Sequence, residues 1–187
     1  MNKQVTILLS IIGALILGIG ILFYTKVLEI KMVDTSDKVQ SFHFKSIDGK
    51  EFNVDAKNRR FNVKELEGKT IFLQIFSWDC EFCEKEIPQL IKLKKSLGNR
   101  FDIIAIEAGD DTKEHAKEFI KKYGINYNIV LGKKHKDFYI YLQKHYGWDG
   151  VIPLTIVLSK EGYVLAFEKG FKSYSLSELL KASLLKE

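Results

Sequence analysis

Cysteine is almost absent from this chain: 187 residues carry only two, Cys80 and Cys83. A structural zinc site needs four ligands, and no third cysteine exists to supply one. The four histidines, His43, His115, His135 and His145, show no ligand-like grouping. A purely structural disulfide across these positions would close a loop too short to restrain the unfolded chain. With no stray thiol to mispair, the chain suits a compartment where disulfides persist. A dominant charge is also lacking. The 29 basic and 24 acidic side chains leave +5, spread mostly as lysine over expected helices. That is a solvated surface, not a nucleic-acid footprint. There is no internal repeat. At 46% hydrophobic and 28% charged, the chain is globular rather than disordered, with length for one domain and an appendage.

What is present is a Cys-x-x-Cys at the junction of two patterns. An apolar run, Thr70 to Phe76, gives way to a helical pattern, Glu84 to Leu90. A strand, a tight turn and a helix put the first sulfur at a helix N-terminus, where orphan N–H groups and the helix dipole stabilise a thiolate. The thiolate is the species that attacks disulfides. The second sulfur, one turn on, resolves the mixed disulfide. The pair reads as a thiol–disulfide oxidoreductase site, Cys80 attacking and Cys83 resolving.

Val5 to Tyr24 contains 20 residues without a charge, enough to span a hydrocarbon core as a helix. The alternative, a cleaved signal peptide, requires a small-residue cleavage site, and Phe23 to Leu28 offers none. No cysteine follows for lipid attachment. The expected organisation is a membrane anchor at 1–28, a linker at 29–40 and one domain at 41–187. Lys3 lies before the span and Lys26 and Lys31 after it, so the positive-inside rule hardly discriminates. The chemistry sets the orientation: a tethered dithiol makes sense outside the cytoplasm, where disulfides need handling.

Alternating residues on either side of Asp48-Gly49 predict a β-hairpin over Phe42 to Val54. Asp55 to Arg60 reads as a polar loop. Strands are expected at 70–76, 101–107, 127–131, 154–158 and 163–167. Helices are expected from the motif to Gly98, at 112–123 with Thr112 as N-cap and Gly124 as stop, at 136–146 and at 176–185. The alternation argues an α/β fold with a partly parallel, mixed central sheet. Phe138, Tyr141, Leu142 and His145 share one helix face and are expected to pack on the sheet rather than line a groove. Pro153, one of two prolines, starts a strand, which ordinary strand rules allow.

The segments Phe42 to Val54, Leu66 to Leu73, Phe76 to Pro88 with its Glu-x-Pro ending, Phe119 to Ile125 and Tyr146 to Val164 together resemble the thioredoxin superfamily, and within it the membrane-anchored TlpA/ResA-type reductases. The resemblance covers residues 41 to 172. It implies a thioredoxin-like fold with an N-terminal β-hairpin extension, Cys80 as the exposed thiol and Cys83 as the buried one. Pro153 would be a cis-proline facing the disulfide, with the Ile152 backbone and Trp78 at the substrate-binding face. Glu81 would tune proton transfer and redox poise. No cofactor or metal is implied. The implied partners are a protein dithiol or disulfide, apocytochrome c among the candidates, and a membrane thiol carrier as electron donor.

The chain departs from that pattern at Asp79, where tryptophan is usual, at Phe82 in place of proline, and at Leu154-Thr155 after Pro153. Asp79, Glu81, Glu84 and Glu86 stand near the thiols against Lys85 alone. Carboxylates raise a thiol pKa, and strong oxidants instead stabilise the thiolate, so the expected direction is reduction. Two alternatives remain open. A peroxiredoxin-like peroxidase would use Ser77 with Cys80, but Leu73 replaces the accompanying proline. A copper-handling chaperone would need a wider cysteine spacing and a placed histidine.

Overall fold

The structure of the protein, a computed structural model, describes residues 38–185. The apolar span at 5–24 and most of the linker lie outside the described residues. Among the described residues, no helix is long and apolar enough to cross a membrane.

Two sheets form. In the first, β1 (Gln40–Lys45), β2 (Glu51–Lys57) and β3 (Arg60–Val63) run antiparallel in chain order. The hairpin around Asp48-Gly49 is as expected. The polar loop expected at Asp55 to Arg60 is instead a second hairpin, with Ala56 paired to Phe61 and Lys57 to Arg60. Its turn residues, Asn58 and Arg59, both adopt left-handed backbone, at φ 49° and 59°. A two-residue hairpin turn requires that conformation, and it is glycine that normally announces it. The alternation was there: Val54 and Ala56 are fully buried, while Asp55 and Lys57 face outward.

The second sheet has the order β6-β5-β4-β7-β8. Its strands are β4 (Thr70–Phe76), β5 (Phe101–Glu107), β6 (Asn128–Leu131), β7 (Leu154–Leu158) and β8 (Val164–Lys169). The first three are parallel, and β7 and β8 are antiparallel to their neighbours, so the sheet is mixed as expected. The helices are α1 (Glu81–Leu97), α2 (Lys113–Tyr123), α3 (Lys136–Tyr146) and α4 (Leu176–Leu184). Thr112 caps α2 by accepting from the His115 N–H, and Ser175 with Glu178 makes a capping box on α4.

Each residue of β4 is buried, and successive side chains enter different cores. Ile71, Leu73 and Ile75 join the core shared with the three-stranded sheet and α3. Phe72 and Phe76 join the core under α1, α2 and α4. In the first core the Phe138 ring meets Phe42 at 5.0 Å, Phe44 at 5.1 Å and Phe61 at 6.1 Å, all edge-on. Phe138, Tyr141 and Leu142 are buried, as expected. His145 differs: it is exposed and lies against the Tyr141 ring at 4.4 Å. The three-stranded sheet also docks on the β7–β8 turn, where the Phe61 N–H donates to Gly162 O at 2.8 Å. Gly162 sits at φ 86°, and a Cβ there would fall 2.4 Å from the Phe61 carbonyl oxygen.

Phe138→Ala should therefore cost about 3–5 kcal/mol in urea unfolding, the range for truncating a buried aromatic. Ile140→Ala, on the exposed side of the same helix, should stay within about 0.5 kcal/mol. Similar losses from both variants would contradict the core position of Phe138.

Candidate active site

The end of β4 is held to β5 by the Ala108 N–H, which donates to Phe76 O at 2.8 Å. Ser77 to Asp79 then turn the chain, and the Cys80 N–H closes the turn on Ser77 O at 3.2 Å. Cys80 is the N-cap of α1, at φ −97° and ψ 105°. Its sulfur accepts from the Cys83 N–H at 3.2 Å, so it occupies the positive end of a helix 17 residues long. Cys80 and Cys83 are disulfide-bonded, with Cα atoms 5.2 Å apart. Cys80 is half-buried, whereas Cys83 is 1% exposed.

The Ile152–Pro153 peptide bond is cis. Pro153 is buried, and Ile152 packs against the core that holds Cys83. The loop is tied down on both sides of Ile152. Trp148 Nε1 donates to Val151 O at 2.9 Å, and the Gly170 N–H donates to Pro153 O at 2.8 Å.

The expected acidic neighbours separate into different environments. The Glu81 carboxylate is drawn to Lys85 at 2.7 Å, and this contact holds its pKa below the usual range. Glu84 accepts from the Tyr123 hydroxyl. Asp79 is exposed. Glu86 differs from the acid read as one of the residues around the thiols. It is 5% exposed, one turn beyond Cys83 on the buried face of α1, and accepts from Gln74 Nε2 at 2.7 Å. Burial raises its pKa from 4.5 to about 7, against the lowering effect of the Gln74 amide. The stripe Cys83, Glu86, Ile87, Leu90 and Leu93 carried the signal: helical spacing puts position 86 inside.

Trp78, expected at the substrate-binding face, is largely buried. It is 9% exposed, stacked on Phe119 at 4.7 Å and edge-on to Phe76 at 4.7 Å, and its Nε1 has no hydrogen-bond partner. A second buried acid, Glu107, escaped the sequence reading because it ends an otherwise apolar strand. It is 2% exposed, and Oε1 accepts from the Gly109 N–H at 2.9 Å. Burial raises its pKa, and Asp111 and Asp79 add to the effect. Among the described residues, no three His, Cys, Asp or Glu side chains converge on a metal site.

A mixed sheet with a Cys-x-x-Cys capping the helix after its central strand, and a cis-proline loop beside it, defines the thioredoxin-fold dithiol proteins. Solved structures carry the same fold. StoA from Bacillus subtilis superposes with a TM-score of 0.55 at 21% identity, over 78% of this chain and 96% of that one. A DsbE-type thiol:disulfide interchange protein from Chlorobium tepidum gives 0.59 at 18%, over 80% and 94%. Residues 34–182 match the redoxin family, and the chain belongs to it, as a TlpA/ResA-type member of the thioredoxin superfamily. The thiol-disulfide oxidoreductase ResA of Bacillus thuringiensis strain Al Hakam is 30% identical over 115 residues, which is 60% of this chain and 61% of that protein's length. ResA from the konkukian subspecies is 30% identical over 132 residues, 68% and 71% of the two chains.

The Glu86 environment sets a pH dependence. The carboxyl is neutral in both folded and unfolded chains below pH 4.5, and the fold retains its proton up to about pH 7. Stability therefore falls as pH rises through that window, because the unfolded chain releases this proton to water while the folded chain still holds it. Glu86→Gln should be neutral near pH 4.5 and should stabilise the oxidised protein increasingly toward pH 8, by up to about 3 kcal/mol. Chemical unfolding at several pH values reads this, and a pH-independent difference would remove the buried-carboxyl assignment.

Proposed function

We propose that this protein is a thiol–disulfide oxidoreductase that reduces protein disulfides from a membrane-tethered position outside the cytoplasm. The observation that carries the reading is the Cys80–Cys83 disulfide on a helix N-terminus, with the capping sulfur accessible and its partner buried. The ResA relatives, thiol-disulfide oxidoreductases by name, support the same chemistry. In the reduced state the Cys80 thiolate attacks a substrate disulfide, forms a mixed disulfide and expels one substrate thiolate. Cys83 then attacks the Cys80 sulfur, the second substrate thiol leaves, and the dithiol is left oxidised. Ile152 offers backbone to an incoming strand, beside Pro153, and Glu81 adjusts the poise of the pair. Trp78 contributes by packing under the turn. Val5 to Tyr24 anchors the domain, 29–40 links it, and 41–187 is catalytic. A transmembrane thiol carrier returns the two electrons, since soluble cytoplasmic reductants cannot reach the site. Service in cytochrome c maturation or as a general periplasmic reductant fits this chemistry. The peroxidase alternative lacks its proline, since Leu73 occupies that position.

A membrane-impermeant maleimide applied to intact, mildly reduced cells should label Cys80 and spare Cys83. Labelling only after lysis would overturn the topology, and faster labelling of Cys83 would overturn the division of roles.

The exposed Asp79 next to Cys80 disfavours additional negative charge and so favours a reducing couple. Equilibration with glutathione should give a potential near the thioredoxin value, about −270 mV. A value above about −180 mV, the disulfide-isomerase range, would make the protein an oxidant or isomerase.

A further inference from the structure

Large exposed hydrophobic side chains collect beside the dithiol. Phe82, between the cysteines, is 50% exposed, and its ring stacks on Phe171 at 5.3 Å with the planes 23° apart. Phe171 follows β8 and is itself 41% exposed. The strip continues to Val151, 46% exposed, on the cis-proline loop. Gly170 joins the two segments. Its N–H bonds Pro153 O, its φ is 71°, and a Cβ at that position would meet Val151 Cγ1 at 3.4 Å. Two exposed aromatic rings, one inside the redox motif and one next to Gly170, which is bonded to the proline loop, thus stack beside the Cys-x-x-Cys turn.

This arrangement is hard to explain by stability alone. Stacked rings this exposed leave apolar surface in water, and apolar patches of this kind on a soluble domain mark interaction sites. Both signs of charge surround the rings, with Lys92 and Lys172 lining the same groove as Phe171, and the acids lie toward the motif. Asp79, Glu81 and Glu84 are exposed on the turn and on α1. Of the nearby cations, Lys85 is held by Glu81 and lies over the Phe82 ring at 5.0 Å, and Lys172 pairs with Glu168 at 3.7 Å.

We propose that Phe82 and Phe171 select the substrate: an extended segment of another polypeptide whose disulfide-bonded cysteine is adjacent to an aromatic residue and close to a basic one. The proposal rests on the oxidoreductase reading and assigns it a substrate class. The partner's ring covers the stacked pair while its cysteine meets Cys80, and its positive charge faces Asp79, the exposed acid next to Cys80. Aromatic contact adds affinity beyond the area it covers, and opposite charge speeds encounter. The electron balance is that of the dithiol reaction: the partner's disulfide is reduced and Cys80–Cys83 is oxidised.

The test uses the reduced full-length protein and three peptides, each with one cysteine in mixed disulfide with glutathione. One peptide has tryptophan next to the cysteine and a lysine nearby. The second replaces tryptophan with glycine, and the third replaces lysine with glutamate. Single-turnover reduction of the tryptophan–lysine peptide should be about 10-fold faster than that of the glycine peptide, an advantage of the size expected from aromatic contact. At low salt it should also be several-fold faster than the glutamate peptide. Phe171→Ser should bring the tryptophan-to-glycine ratio toward 1, and Phe171→Trp should preserve it. The wild-type ratio stands without any variant. Equal rates for tryptophan and glycine peptides, or a ratio unchanged by Phe171→Ser, would overturn selection by the stacked rings. Equal rates for lysine and glutamate peptides would overturn the basic requirement. Reduction of none of the three would instead overturn the oxidoreductase reading beneath it.

Discussion

The site depends on how one buried strand ends. β4 has no solvent face, so its exit is fixed by neighbours on both sides before the first cysteine is reached. Ala108 holds its last carbonyl, Ser77 closes the turn, and Cys80 enters as the cap of α1. A helix N-terminus needs acceptors for its first N–H groups, and here a sulfur supplies one. The helix end therefore favours negative charge on the capping sulfur, which belongs to the less buried of the two cysteines. The 3.6-residue turn then carries the second sulfur inward, to 1% exposure. The asymmetry of the pair is thus a property of helix geometry.

Around this turn the fold holds two buried carboxyls, Glu86 and Glu107, that make no ion pair among the described residues. Desolvation outweighs hydrogen bonding at Glu86 and Glu107, so both hold protons more tightly than in water. Gln74 reaches Glu86 from β4, and the Gly109 amide reaches Glu107 from its own loop. A Cβ at position 109 would lie 2.6 Å from Glu107 Oε1, so that loop is shaped around the carboxyl. Charged residues stabilise the second core differently at its far end. Asp102 there is paired with Lys69 at 3.3 Å and Lys94 at 3.1 Å and is bonded by Asn128. Buried acid is matched by lysines at the far end, and near the motif it is held toward its neutral form by burial.

The three-stranded sheet contributes to the site through packing. Its phenylalanines interlock with α3 through Phe138 and cover the face of the large sheet opposite α1. That leaves the face with the cysteines to α1, α2 and α4. Trp78 shows the consequence for the motif. Shifted one residue from the position where tryptophan is usual, it turns inward onto Phe119, and Phe82 and Phe171 provide the exposed aromatic surface.

By itself, the sequence determined the order and type of nearly every element, the helix caps at Thr112 and Cys80, and the junction that carries the dithiol. These follow from local rules: a hydrophobic period of two or 3.6, a capping side chain, a glycine after a helix. Tertiary structure alone decided which acid near the cysteines is buried, which aromatic is exposed, and that Asn58-Arg59 is a hairpin turn. A one-residue shift on a helix or strand leaves composition unchanged but moves a side chain between water and core. Glu86 and Glu84 are two positions apart on one helix, and only burial against the sheet beneath raises the pKa of one to about 7 while the other stays in solvent. Phe82 met Phe171 across 89 residues because the cis-proline loop and Gly170 brought the end of β8 to the motif, a long-range contact that no local pattern encodes.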